Sequence, residues 1–196
     1  VAVFHGDHTV ATALTALPFD HVFFTGSPEV GKKVMHAAAE NLTSVTLELG
    51  GRNPVIVDET AKLSDVARKL VWGKLVNAGQ SCMSPNYVLV HEKIYDKLAA
   101  QIKATFDKAY GSAASKMQDS PDFGRIITPR HQERLAGLVQ ASVAAGAQVL
   151  IGGKGDTANR YLDPTFLTEV KLGNPILEQE LFGPILPLMR YSNLDE

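Results

Sequence analysis

Short apolar runs alternate with longer amphipathic stretches along nearly the whole chain. That alternation admits few architectures other than an α/β protein with a mostly parallel sheet. The apolar runs fall at residues 1–4, 21–24, 45–49, 53–57, 87–90, 148–151 and 185–190, and an extended stretch at 161–167 is interrupted by Pro164. Helices are expected over 8–17, 28–40, 64–76, 94–110 and 128–145. Ser27 is suited to cap the second helix, with Pro28 at its first position. Ser64 is expected to cap the third, which puts Val66, Leu70, Gly73 and Val76 on one face. Residues 111–123, rich in Ser, Ala, Gly, Asp and Pro, read as a surface loop. Gly50-Gly51 breaks a strand and marks a joint between two domains, 1–50 and 51–196.

Composition removes several classes of function. The 196 residues are 45% hydrophobic and 20% charged, values ordinary for a globular protein with a real core. A net charge of −2 without a basic stretch argues against nucleic acid as a partner. No apolar run approaches the roughly 20 residues that a membrane helix needs, and no secretory signal is visible. The single cysteine cannot form an internal disulfide, which fits a reducing compartment and makes the cytoplasm the expected location. The six histidines show no metal-ligand spacing, and no Gly-x-Ser-x-Gly elbow is present. Both ends read as cut edges. The chain begins without Met in a strand-like run, and residues 192–196 resemble a helix start, so a piece of a longer polypeptide is expected.

Four runs carry candidate chemistry. Cys82 closes Asn77-Ala78-Gly79-Gln80-Ser81-Cys82. A lone cysteine is most often a small buried apolar side chain, but a polar Gly-Gln turn after a helix presents this thiol on a loop, where reactive groups concentrate. Glu48 lies in Leu47-Glu48-Leu49-Gly50-Gly51. It is either the solvent-facing residue of a half-buried strand or a carboxylate at a strand's C-terminal end, where α/β sheets place their sites. Gly26 to Gly31 has the form of a glycine turn entering a helix, able to aim backbone N–H groups at a phosphate, although Ser27-Pro28 also serves as a plain helix cap. Glu178-Gln179-Glu180-Leu181-Phe182-Gly183-Pro184 is an acidic, aromatic turn, suited to an ordinary loop or to a ribose and a nicotinamide ring.

Taken jointly and in this order, these runs resemble the signatures of the aldehyde dehydrogenase superfamily. Pro18-Phe19-Asp20-His21, Trp72-Gly73-Lys74 and Ser84-Pro85-Asn86-Tyr87 are similar to its class 3 branch, which includes fatty, aromatic and coniferyl aldehyde enzymes. The resemblance implies an α/β, aldehyde dehydrogenase-like fold: residues 1–50 as the end of a Rossmann-like NAD(P)-binding domain and 51–196 as most of the catalytic domain. It implies Cys82 as nucleophile and Glu48 as the base that activates water. It also implies Gly26, Ser27, Gly31, Glu180 and Phe182 as contacts to NAD or NADP. Further implications are a small aldehyde substrate and a homodimeric or homotetrameric full-length protein. Arg52 stands where the family usually has Lys, and Gln179 where it usually has Glu. The family's oxyanion Asn and a cofactor-contacting Lys would precede Val1, and its C-terminal funnel and interface segment would follow Glu196. Residues 1–196 alone are therefore expected to lack activity. A CoA-acylating enzyme would use the same cysteine, but Glu48 would be superfluous there. A non-catalytic binding domain is the other alternative.

Overall fold

The computed structural model describes residues 1–195. The chain forms two compact units, Val1–Gly50 and the residues from Gly51 onward. The division falls between two adjacent glycines that follow an apolar strand.

The first unit holds α1 (His8–Thr15), β1 (His21–Thr25), α2 (Pro28–Ala39) and β2 (Ser44–Glu48). The two strands are parallel, with Thr25 opposite Glu48, and α2 supplies the crossover that parallel neighbours require. Ser27 caps α2, its hydroxyl oxygen accepting from the Val30 N–H at 3.3 Å, and Pro28 occupies the first turn, where its missing N–H is not needed. Residues 1–4 were expected to be a strand and are not. They have no strand partner among the described residues, and Val1, Val3 and Phe4 are exposed. An apolar run becomes a strand only where a neighbour takes its backbone hydrogen bonds. The first helix also ends at Thr15 rather than at residue 17.

The second unit holds β3 (Pro54–Val57), α3 (Leu63–Leu75), β4 (Tyr87–His91), α4 (Tyr95–Tyr110), α5 (Pro129–Ala144), β5 (Gln148–Ile151), β6 (Gly155–Asp156), β7 (Tyr161–Leu162), β8 (Thr165–Thr168) and β9 (Ile185–Tyr191). Its main sheet has the order β3-β4-β9-β8-β5; the first four strands are parallel, and β5 runs antiparallel to β8. A short antiparallel β6–β7 pair stands apart. Alternate residues of each strand enter different cores, as the two-residue period of a strand requires. Val88 and Val90 of β4, Phe166 of β8, and Leu186 and Leu188 of β9 pack with α3 and α4. Leu167 of β8 and Ile185 and Met189 of β9 pack with α5. A sheet covered on both faces explains why these strands read as continuous apolar runs.

Two expectations for this unit are corrected. Helix α3 starts at Leu63, after Lys62, with no side-chain cap from Ser64. Its buried face carries Ala67, Leu70, Val71, Lys74 and Leu75, while Val76 and Trp72 are exposed. That face is rotated by about one residue, roughly 100°, from the one expected. Residues 111–123 are not simply a surface loop, because a 3₁₀ segment, Ala114–Asp119, buries Ala114 and Met117, and Phe123 is buried beside it. Residues 192–195 hold a turn in which the Asp195 N–H donates to the Asn193 side chain at 3.2 Å, and the helix start expected over 192–196 runs beyond the described residues. Glu196 lies outside the described residues.

Candidate functional site

Helix α3 runs out at Leu75 into a tight turn, Val76–Gly79, in which Asn77 (φ 52°), Ala78 (φ 52°) and Gly79 (φ 70°) are all left-handed. For residues with a Cβ this conformation costs roughly 1–2 kcal/mol each, so the surroundings must hold it. Gln80 does much of that holding. Its Nε2 donates to the carbonyls of Asn77 (3.2 Å) and Arg125 (3.0 Å), and its Oε1 accepts from the Ile127 N–H at 2.9 Å. From the other side, Asn53 Nδ2 donates to the carbonyls of Cys82 (2.6 Å) and Ser84 (3.1 Å). Cys82 therefore has a fixed backbone, while its side chain is exposed. Among the described residues nothing accepts from the Cys82 N–H.

A second strained turn abuts the first. Phe182 is left-handed (φ 50°), an uncommon conformation for a bulky residue. A Cβ on Gly79 would run into the Gly183 carbonyl, so the cysteine turn and the Glu180–Gly183 turn are in direct contact. Helix α5, capped by Thr128 and started by Pro129, brings two cationic or basic side chains to this turn. Arg134 donates to the Leu181 carbonyl at 2.6 Å and to Gln179 Oε1 at 2.9 Å. His131 Nε2 lies 2.8 Å from the Phe182 carbonyl. Burial holds both Arg134 and His131 below their usual pKa ranges. The buried Asn86, just before β4, grips the same turn, accepting from the Leu181 N–H at 2.8 Å and donating to the Gln179 carbonyl at 3.3 Å. Amid this set of satisfied groups, Glu180 Oε1 is buried and has no hydrogen-bond partner.

Lys74 lies beneath both turns. It is 1% exposed, and its Nζ donates to the Pro85 carbonyl at 2.8 Å and to Ser84 Oγ at 3.3 Å. Burial pushes its pKa down to about 7 against a weaker upward pull from the Glu180 carboxylate.

In the first unit the Gly26 N–H donates to the Glu48 carbonyl at 3.0 Å, so the glycine turn and the end of β2 are adjacent. Glu48 is exposed. Gly31 is buried, and a Cβ there would lie 2.7 Å from Leu49 Cδ2; its smallness lets α2 approach the strand end. Cys82, Glu180 and Phe182 are thus assembled within the second unit, and Gly26, Ser27, Gly31 and Glu48 within the first.

Residue patterns alone overlooked Asn86, His131, Arg134 and the burial of Lys74. A lysine at the 67-70-71-74 spacing of an apolar face was the one available signal. The other three act on backbone groups some 47 to 95 residues away, which no local pattern records.

No helix among the described residues is long and apolar enough to cross a membrane. Residues 1–196 match the profile described as "Aldehyde dehydrogenase family". The 4,4'-diaponeurosporen-aldehyde dehydrogenase of Staphylococcus aureus (strain NCTC 8325 / PS 47) is 44% identical over the whole chain, which covers 41% of that relative. Aldehyde dehydrogenase family 3 member A2 of Pongo abelii is 41% identical over 99% of the chain and 38% of the relative. The chain thus spans about two fifths of the length of these curated relatives. A solved substrate-bound state of Staphylococcus aureus AldH superposes with a TM-score of 0.89 at 44% identity, covering 97% of this chain and 40% of that one. With its entire length matched by the family profile, the chain belongs to the aldehyde dehydrogenase family.

Proposed function

We propose that the chain is the cysteine-bearing portion of an NAD(P)-dependent dehydrogenase that oxidises an aldehyde to a carboxylic acid. The observation that carries this reading is the exposed Cys82, three residues beyond a strained, immobilised turn whose Gly79 packs against the turn of Glu180 and Phe182. Strain of this kind persists where the surrounding structure over-determines it, and it collects at functional sites.

In this mechanism the Cys82 thiolate attacks the aldehyde carbon and forms a C–S bond, and the carbonyl oxygen becomes an oxyanion. The Cys82 N–H, unclaimed by any described acceptor, donates to that oxygen; one such donor is typically worth about 10²–10³ in rate. A nicotinamide cofactor, when bound, supplies the hydride acceptor that leaves a thioester on Cys82. Glu48, following the family pattern, then takes a proton from water; the hydroxide adds to the thioester carbon, and the Cys82 thiolate departs as the acid is released. The unpartnered Glu180 Oε1 fits such a cofactor, because a ribose hydroxyl would supply the donor that this buried oxygen lacks. Phe182 offers an apolar face nearby, and Gly26, Ser27 and Gly31 the glycine turn towards the phosphates.

The test is product analysis with the full-length protein, NAD or NADP, and aliphatic and aromatic aldehydes, with and without CoA. A free acid formed without CoA and lost in Cys82→Ala is the expected result. Retention of a tenth of the rate in Cys82→Ala would remove the nucleophile assignment, and a strict CoA requirement would replace hydrolysis by acyl transfer.

A further inference from the structure

We infer that Asn86 is a positioning residue for Glu180, and this inference rests on the reading of Glu180 as an acceptor for a ribose hydroxyl. Glu180 is flanked by two peptide groups, and Asn86 holds both. Its Oδ1 takes the Leu181 N–H at 2.8 Å, and its Nδ2 reaches the Gln179 carbonyl at 3.3 Å. The two bonds span the Cα of Glu180 from opposite sides, which fixes the direction in which that side chain leaves the backbone. Asn86 is itself fixed. It is 3% exposed, it immediately precedes β4, an interior strand of the sheet, and its own N–H donates to the Asn53 carbonyl at 2.9 Å. Arg134 clamps the outer side through the Leu181 carbonyl and Gln179 Oε1. The grip matters because Phe182, two residues after Glu180, is in a strained left-handed conformation that the surroundings must hold. Its result is a buried carboxylate oxygen held in place without a protein donor. Such an unsatisfied buried acceptor is a group whose missing donor a ligand hydroxyl can supply.

The chemistry of the side chain makes the claim testable by atom replacement. Asn86→Asp keeps the acceptor for the Leu181 N–H and removes the donor to Gln179, whereas Asn86→Ala removes both. The backbone bond to Asn53 survives in each variant.

The experiment measures equilibrium binding of NAD and of AMP to the full-length protein, by quenching of its intrinsic fluorescence or by calorimetry. AMP shares the adenosine half of the dinucleotide and lacks the nicotinamide ribose. Asn86→Ala should weaken NAD about tenfold and Asn86→Asp about threefold, with AMP affinity unchanged in both; a merely structural role would weaken NAD and AMP together. Glu180→Gln is measured alongside. If Glu180→Gln binds NAD as the wild type does, the ribose reading itself fails. If Glu180→Gln weakens NAD but both Asn86 variants bind like the wild type, or lose NAD and AMP equally, the positioning inference is overturned. Should Asn86→Ala not fold, the selective threefold loss in Asn86→Asp decides alone, and its absence overturns the inference.

Discussion

Burying Lys74 should make stability rise with pH through a range where most proteins are flat or declining. The group is 1% exposed, and burial lowers its pKa from 10.5 to about 7. In the unfolded chain the amine regains its ordinary value. Between these two pKa values the unfolded state binds a proton that the folded state does not, so raising the pH favours folding. Below about pH 7 both states are protonated and the full penalty is present; above about 10.5 both are neutral and it has vanished. One pKa unit corresponds to about 1.4 kcal/mol, so the stability gained between about pH 7 and pH 9.5 is about 3 kcal/mol. Lys74→Met removes the titration while keeping a long apolar stem, at the cost of about 1–3 kcal/mol for leaving the Pro85 carbonyl without its donor. That cost does not depend on pH. Urea denaturation of both proteins at the two pH values isolates the effect, since every other titrating group cancels in the difference. The wild type should gain about 3 kcal/mol on Lys74→Met over this range. A difference that stays constant with pH would mean that Lys74 is charged in the fold and that Glu180 and the two acceptors compensate its burial.

Other outcomes follow from the site and its scaffold. Glu48→Gln leaves the nucleophile and removes the proposed base, so the full-length protein should give a pre-steady-state burst of NAD(P)H followed by little turnover; normal steady-state rates would make Glu48 an ordinary strand residue. Gly79→Ala should destabilise by about 2–4 kcal/mol in thermal or urea unfolding, because the new methyl group meets the Gly183 carbonyl in a left-handed backbone. Gly137→Ala, at an exposed α5 position with nothing within 4 Å, should instead stabilise by about 0.5–1 kcal/mol. Equal effects at the two glycines would refute the reading of Gly79 as the contact between the turns.

The strand and helix alternation, the Ser27-Pro28 helix start and the break at Gly50-Gly51 were legible in sequence because each is a local matter. Side-chain period, capping chemistry and backbone freedom act within a few residues. The residues proposed for the chemistry could be singled out as motifs for the same reason: Cys82, Glu48 and Glu180 each sit in a short run of distinctive composition. What those runs do to one another was not. That Gly79 touches Gly183, that Gln80 anchors to Arg125 and Ile127, and that Asn86 and Arg134 enclose Glu180 are contacts between residues far apart in sequence; those to the Glu180–Gly183 turn depend on β9, which follows that turn, lying beside β4 in the sheet. Residues 1–4 show the converse: a strand-like pattern stays irregular and exposed when no neighbour receives its hydrogen bonds. The rotated face of α3 has the same origin. Its period was readable, but whether Lys74 or Gly73 turns inward depends on the sheet and turns packed against the helix. Periodicity ranks the possible faces of an element; only the tertiary neighbours choose among them, because burial is a property of the pair in contact and not of either sequence.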